Sequence, residues 1–229
     1  MAVTLAQIVE ISQEAPVWQG LRVRLPNGLH PAPGQYLLAN RPHSDDPLPV
    51  ALYPARLRPG DLRLVGPLPA AWAVGDWLEI RSPLGRGFRL PPQARRVALA
   101  ALDGPTARLL PVIEAALAQG ADVALYTSAP PAGLPLAVEV LPFSLLHEAP
   151  AWAQYLALTA PRIRLTALRE ALGLTAEQRC PAAEVLVDTP IPCGGAAACG
   201  VCAVHTRHGW KLACEDGPVF PWDDLEVEG

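Results

Sequence analysis

The chain has 229 residues, 51% of them hydrophobic and 17% charged, with a formal net charge of −4. That is enough for one large domain or two to three small ones with well-filled cores. The negative balance argues against a nucleic-acid partner, which calls for a basic patch. Apolar runs such as VALAAL from Val97 are far short of the roughly 20 residues that span a bilayer.

The start, AVTLAQIVEIS, has no basic n-region and no signal-type apolar core, so a soluble cytoplasmic protein is expected. From there to about Pro92 the sequence reads as short strands broken by Gly or Pro. TLAQIVEIS, VWQGLRVRL, GQYLLAN, LPVALYPARL, GDLRLVGPL and GDWLEIRSPL recur at near-regular intervals. Evenly spaced short strands of this kind predict a small antiparallel β-barrel or sandwich over residues 1–92.

The pattern changes near Arg95. RRVALAAL is a continuous apolar run suited to a strand buried on both faces. TARLLPVIEAALAQG reads as a helix stopped by Gly120, and ADVALYTSA as the next strand. LAVEVLPF predicts a further strand, APAWAQYLAL and TALREALGL predict helices, and AAEVLVDT a last buried strand. The segment 93–189 is therefore expected to form a Rossmann-like α/β layer.

The remaining 190–229 segment gathers four of the five cysteines. Cys193, Cys199, Cys202 and Cys214 have the spacing C-x5-C-x2-C-x11-C, amid Gly194, Gly195, Gly200 and three alanines. No cysteine precedes Cys180, which stands apart in EQRCPAAE. A secreted disulfide framework would spread its cysteines along a short chain, whereas clustered thiols in a reducing cytosol bind metal or do redox work.

Three ligands from one tight loop let backbone N–H groups point at cluster sulfides and tune their potential. Cys214 would return from a hairpin in which AVHT and WKLA flank a turn at RHG. The spacing is near the C-x4-C-x2-C pattern of plant-type [2Fe–2S] proteins. The alternative is a four-cysteine zinc site, which ordinarily shows two C-x2-C knuckles where this loop has one. His205 and His208 lie between the last two cysteines and read as exposed hairpin residues rather than ligands.

CGGAAACGVCAV followed by CEDGPVF resembles the C-terminal iron–sulfur module of the electron-transfer subunit family of dihydroorotate dehydrogenase. The resemblance implies a flavin-binding β-barrel, a nicotinamide-binding α/β domain and a terminal [2Fe–2S] module, in the order read above. It implies that FAD and the cluster pass electrons between NADH and an FMN-containing catalytic partner within a hetero-oligomer. Arg41, Pro42 and Ser44 of RPHS resemble the family's R-P-x-S flavin motif. There the arginine pairs with the pyrophosphate, for which its planar fork is suited, and the serine lies near the ring. GDWLEIRSPLGRGF resembles the family's G-D segment ending G-P-L-G-x-G-F, with Ser82 in place of the first glycine. Tyr53 reads either as lining the flavin ring or as a barrel core residue.

Two motifs depart from the family. Its second flavin motif, a phosphate turn, falls at RLVGPLP, where Gly66 is kept but Pro67 removes a backbone donor. The glycine cluster that opens the nicotinamide domain is reduced to Gly104 in LDGPTARLLP, beside an acidic Asp103 that repels phosphate. NAD is therefore not expected as a cofactor. A non-catalytic assembly or regulatory subunit with a vestigial flavin site and a zinc-bearing loop is the competing expectation.

Overall fold

Alternation of buried and half-exposed side chains, as over Trp18–Arg24, is the signature of a strand with one face on a core. In the first part of the chain it produces six strands: β1 (Ala2–Ala15), β2 (Trp18–Arg24), β3 (Tyr36–Asn40), β4 (Val50–Arg58), β5 (Asp61–Gly66) and β6 (Trp77–Leu84). They form a closed antiparallel barrel in the order β1-β2-β5-β4-β3-β6. The long β1 pairs with both β2 and β6, which removes the free edges. Ile8, Leu21, Leu37, Leu52, Leu64 and Ile80 fill its interior. The computed structural model describes residues 2–24, 29–43, 48–58, 61–175, 177–180 and 182–227.

The second layer is a six-stranded sheet of β7 (Arg96–Ala101), β8 (Asp122–Tyr126), β9 (Val138–Leu141), β10 (Tyr155–Pro161), β11 (Ala183–Asp188) and β14 (Val219–Pro221). Its order is β14-β11-β10-β7-β8-β9. All neighbours run parallel except β14, which joins β11 antiparallel. The helix expected over TARLLPVIEAALAQG begins as a 3-10 turn at Thr106–Leu109 and continues as α1 (Leu110–Ala118). Gly120, at φ +75, ends it. The TALREALGL helix is α3 (Leu165–Ala171).

One expected helix is corrected. Only Ala149–Trp152 (α2) of APAWAQYLAL is helical, and the chain then extends into the central strand β10. Residues 155–160 are all buried between β7 and β11. A segment with no polar face suits a strand covered on both sides, and this placement overrides the helix propensity of its Leu and Ala.

The C-terminal part contributes the hairpin β12 (Ala203–Thr206) and β13 (Gly209–Leu212), turning at the expected RHG. It then adds β14 to the sheet edge, a strand that three residues of VFP did not announce. One continuous core runs through barrel residues Tyr36 and Tyr53, through the sheet, and on to Cys202, Val204 and Cys214. The cysteine loop is thus fixed to both layers. Among the described residues, no helix is long and apolar enough to cross a membrane.

Candidate functional site

The loop after β11 coils because several of its residues adopt left-handed backbone: Gly194 at φ +62, Gly195 at +74, Gly200 at +69, and also Ala197 at +55. At Gly195 a Cβ would stand 3.0 Å from the Tyr36 hydroxyl, so the loop lies directly on the barrel. Cys202 and Cys214 are buried, Cys193 is half-buried and Cys199 exposed, and all are free thiols.

The Cys193 thiol lies against that of Cys199 and the Cys214 thiol against that of Cys202, with Cys193 also close enough to act on Cys214. Among the described residues, no three His, Cys, Asp or Glu side chains converge as a single-ion site. A backbone N–H from Ala198 is the main reason the Cys193 thiol is held down at about 7, against an opposing effect of burial. The Cys199 thiol and the N–H groups of Ala196 and Cys199 add to it. Burial, then the neighbouring Cys202, pushes Cys214 up to about 12. Loop N–H groups therefore already point at sulfur, as ligation of an iron–sulfur cluster needs.

Tyr36 is fully buried and its hydroxyl donates to the Cys214 carbonyl at 2.9 Å. Burial first, and then the nearby Cys214, Cys202 and Cys193, raise its phenol well above the usual range, so it remains a donor. His205 sits 2.9 Å from Glu226 and stacks on Trp210, while His208 faces Asp224 at 3.8 Å. Both histidines engage carboxylates of the C-terminal segment, in keeping with the hairpin reading.

A cavity of about 530 Å³ opens where barrel, sheet and loop meet. Trp18, Pro49, Tyr53, Asp188, Thr189 and Ile191 line it, and Pro192 carries its wall to Cys193. A Cβ at Gly194 would lie 3.1 Å from Pro49 Cγ, so loop and cavity wall touch. Tyr53, 2% exposed, is a core residue that also lines the cavity. Its ring centroid is 6.4 Å from that of Trp18 and 6.3 Å from that of Tyr36.

Against this aromatic group lies Arg108, a residue that no motif along the chain singled out. It is 1% exposed, 4.4 Å above the Trp18 ring and 5.2 Å from that of Tyr53. Its Nη2 donates to Thr159 Oγ1 at 2.8 Å, and its Nη1 lies 3.4 Å from Asp188 Oδ2. The one available signal was an arginine at the start of a largely apolar helical run. A Cβ at Gly104 would collide with the Arg108 guanidinium, so this glycine makes room for an arginine of the same chain.

Arg41, Pro42 and His43 of RPHS do not line that cavity. Arg41 Nη1 lies 3.8 Å from Asp76 and donates to the Ala71 carbonyl at 3.1 Å. Together with Pro42, Arg41 lines a separate depression beside Trp77. Ser44 lies outside the described residues. Gly66 ends β5 where a Cβ would stand 2.5 Å from Leu52 Cδ2. That position requires glycine for strand packing, while its neighbour Pro67 lines the cavity. Asp103 is bound by Arg164 at 3.1 Å, so its charge is compensated rather than free to repel phosphate. It lines a 490 Å³ crevice with Glu14, Trp18, Gly104, Thr106 and Thr127 at the carboxyl ends of β7 and β8.

Residues 192–226 match the family model of the iron–sulfur cluster binding domain of dihydroorotate dehydrogenase B. No curated protein sequence matches the chain. Among solved structures, an NADH-dependent reduced ferredoxin-NADP oxidoreductase described for flavin-based electron bifurcation aligns with TM-score 0.74 at 17% identity. That alignment covers 99% of this chain and 90% of the other. The ferredoxin reductase of carbazole 1,9a-dioxygenase, in its FAD apo form, aligns at TM-score 0.55 and 16% identity over 75% of this chain and 61% of its own. A flavohemoglobin from Malassezia yamatoensis with bound FAD and heme aligns at 0.56 and 17%, over 81% and 60%. At such identities the likeness establishes the fold.

The chain has a ferredoxin-reductase-like fold, and its residues 192–226 match an iron–sulfur cluster binding domain. More particularly, the matched domain is that of dihydroorotate dehydrogenase B, in line with the resemblance carried by the cysteine loop.

Proposed function

We propose that the chain relays electrons between a flavin, FAD, and an FMN-containing catalytic partner of the dihydroorotate dehydrogenase type, through a [2Fe–2S] cluster held by Cys193, Cys199, Cys202 and Cys214. The observation that carries this is the division of the four thiols into two pairs on a loop matched by the iron–sulfur family. Two thiolates per iron is the ligand set of a [2Fe–2S] centre, whereas zinc requires four donors round one point. In this reading residues 1–92 form the flavin-side unit, 93–189 the α/β unit and 190–229 the cluster unit.

The residues fit a flavin ring at the three-way cavity, where Tyr53 and Trp18 supply apolar surface next to the cysteine loop. A bound flavin would accept electrons in pairs and pass them on singly. The chain's own part is to hold the ring against Tyr53, exclude water with the prolines of the cavity wall, and keep the loop beside it. Arg41 would have to leave Asp76 to meet a pyrophosphate. The crevice at the ends of β7 and β8 has one glycine and two carboxylates, Glu14 and Asp103, which supports a weakened pyridine-nucleotide site. The pairing of Asp103 with Arg164 limits that weakening.

The test is to mix the anaerobically prepared chain with an FMN-containing dihydroorotate-oxidising subunit and dihydroorotate. A paramagnetic reduced-cluster signal appearing only with all three is the expected result. Turnover by the partner without any cluster reduction contradicts the reading.

A further inference from the structure

Arg108 is a costly residue if its role is only to fill space. A guanidinium 1% exposed is costly to desolvate, and its Nε and Nη1 have no hydrogen-bond partner. Replacing a buried ion pair by well-packed apolar groups is often neutral or stabilising, so packing alone does not account for it.

The residues around Arg108 are those of the cavity: Trp18 and Tyr53 beneath it and Asp188 beside it all line the wall. Thr189, also on that wall and 8% exposed, has a buried hydroxyl without a partner. Among the described residues that line the cavity, Asp188 is the one carboxylate, and Arg108 is the cation beside it.

We infer that the Arg108–Asp188 pair sets the charge felt by a ring in this cavity and thereby positions the reduction potential of the bound flavin. This rests on the flavin reading above. A flavin reduced by two electrons and one proton carries a negative charge at neutral pH. It is therefore disfavoured by an unpaired Asp188 and favoured by an unpaired Arg108. The low-dielectric setting makes single charges there count for more than they do at the surface.

The pair forms a charge ladder that can be tested on the full chain loaded with FAD by spectroelectrochemical titration. Arg108→Met is expected to reduce the preference for reduced over oxidised flavin about tenfold, lowering the midpoint by about 30 mV for a two-electron couple. Asp188→Asn is expected to move it by a similar amount in the opposite direction. Arg108→Lys, which keeps the charge, and the Met/Asn double variant should both stay near the wild type.

A purely structural Arg108 would change the thermal midpoint of unfolding but leave the potential where it was. That result, in variants that still bind flavin, overturns the inference and leaves the flavin reading intact. Should Arg108→Met fail to fold, Asp188→Asn carries the same test from a partly exposed position. A wild-type chain that takes up no FAD defeats the flavin reading itself, and the inference falls with it.

Discussion

Replacing Tyr36 with Phe tests how the barrel holds the cysteine loop. The substitution keeps the ring, its packing beneath Gly195 and its contact with Tyr53, and removes only the hydroxyl that donates 2.9 Å to the Cys214 carbonyl. A hydrogen bond of this type contributes about 1 kcal/mol net. Leaving its buried acceptor unsatisfied raises the cost to about 1–3 kcal/mol. That carbonyl belongs to a proposed ligand, so the loss falls on opening of the loop. Each ~1.4 kcal/mol is a factor of ten in the opening equilibrium, so cluster loss should accelerate about tenfold, approaching a hundredfold if the carbonyl finds no water. The assay is anaerobic bleaching of the cluster absorbance in excess chelator. Equal bleaching rates in Tyr36→Phe and wild type would refute the reasoning.

Cys202→Ser should abolish the cluster absorbance, whereas Cys180→Ser, at a buried thiol whose backbone N–H binds Asp223, should leave it intact; absorbance unchanged in the first rejects the ligand assignment. Trp18→Ala removes a large buried ring from between barrel and sheet and is expected to cost about 3–5 kcal/mol, read as a lower urea midpoint. A loss under about 1 kcal/mol would show that the ring bears little of the interface. Stability should also fall at alkaline pH. Burial, then Asp188, raises the Tyr53 phenol, and burial, then Glu184, raises that of Tyr155. With folded values above unfolded ones, their stabilisation is complete below about pH 10 and is lost as pH climbs above it, by about 1.4 kcal/mol per pH unit for each phenol. Urea midpoints that stay flat between about pH 9 and 11 would contradict this.

The barrel was legible because its strands alternate inward and outward residues, and Gly or Pro punctuates them. The parallel strands β7, β8 and β11 were legible as unbroken apolar runs. β10 was misread because Leu and Ala in YLALTA favour either structure locally, and only its position between β7 and β11 decides. The four cysteines carried their own signal in spacing and small neighbours.

Arg108, Asp188 and Thr189 did not, since each acquires meaning only when β2, β4 and β11 meet. Gly104 and Asp103 show the limit most clearly. Both were read against a dinucleotide loop, yet one makes room for Arg108 and the other binds Arg164. Motifs defined along the chain were found, and those assembled across it were not.

The central claim, that two thiol pairs on this loop hold a [2Fe–2S] centre, is tested most directly by metal and sulfide analysis of the chain purified without oxygen. About two irons and two acid-labile sulfides per chain, lost together in Cys202→Ser, is the predicted result. One zinc per chain, with no sulfide and no colour, would contradict it.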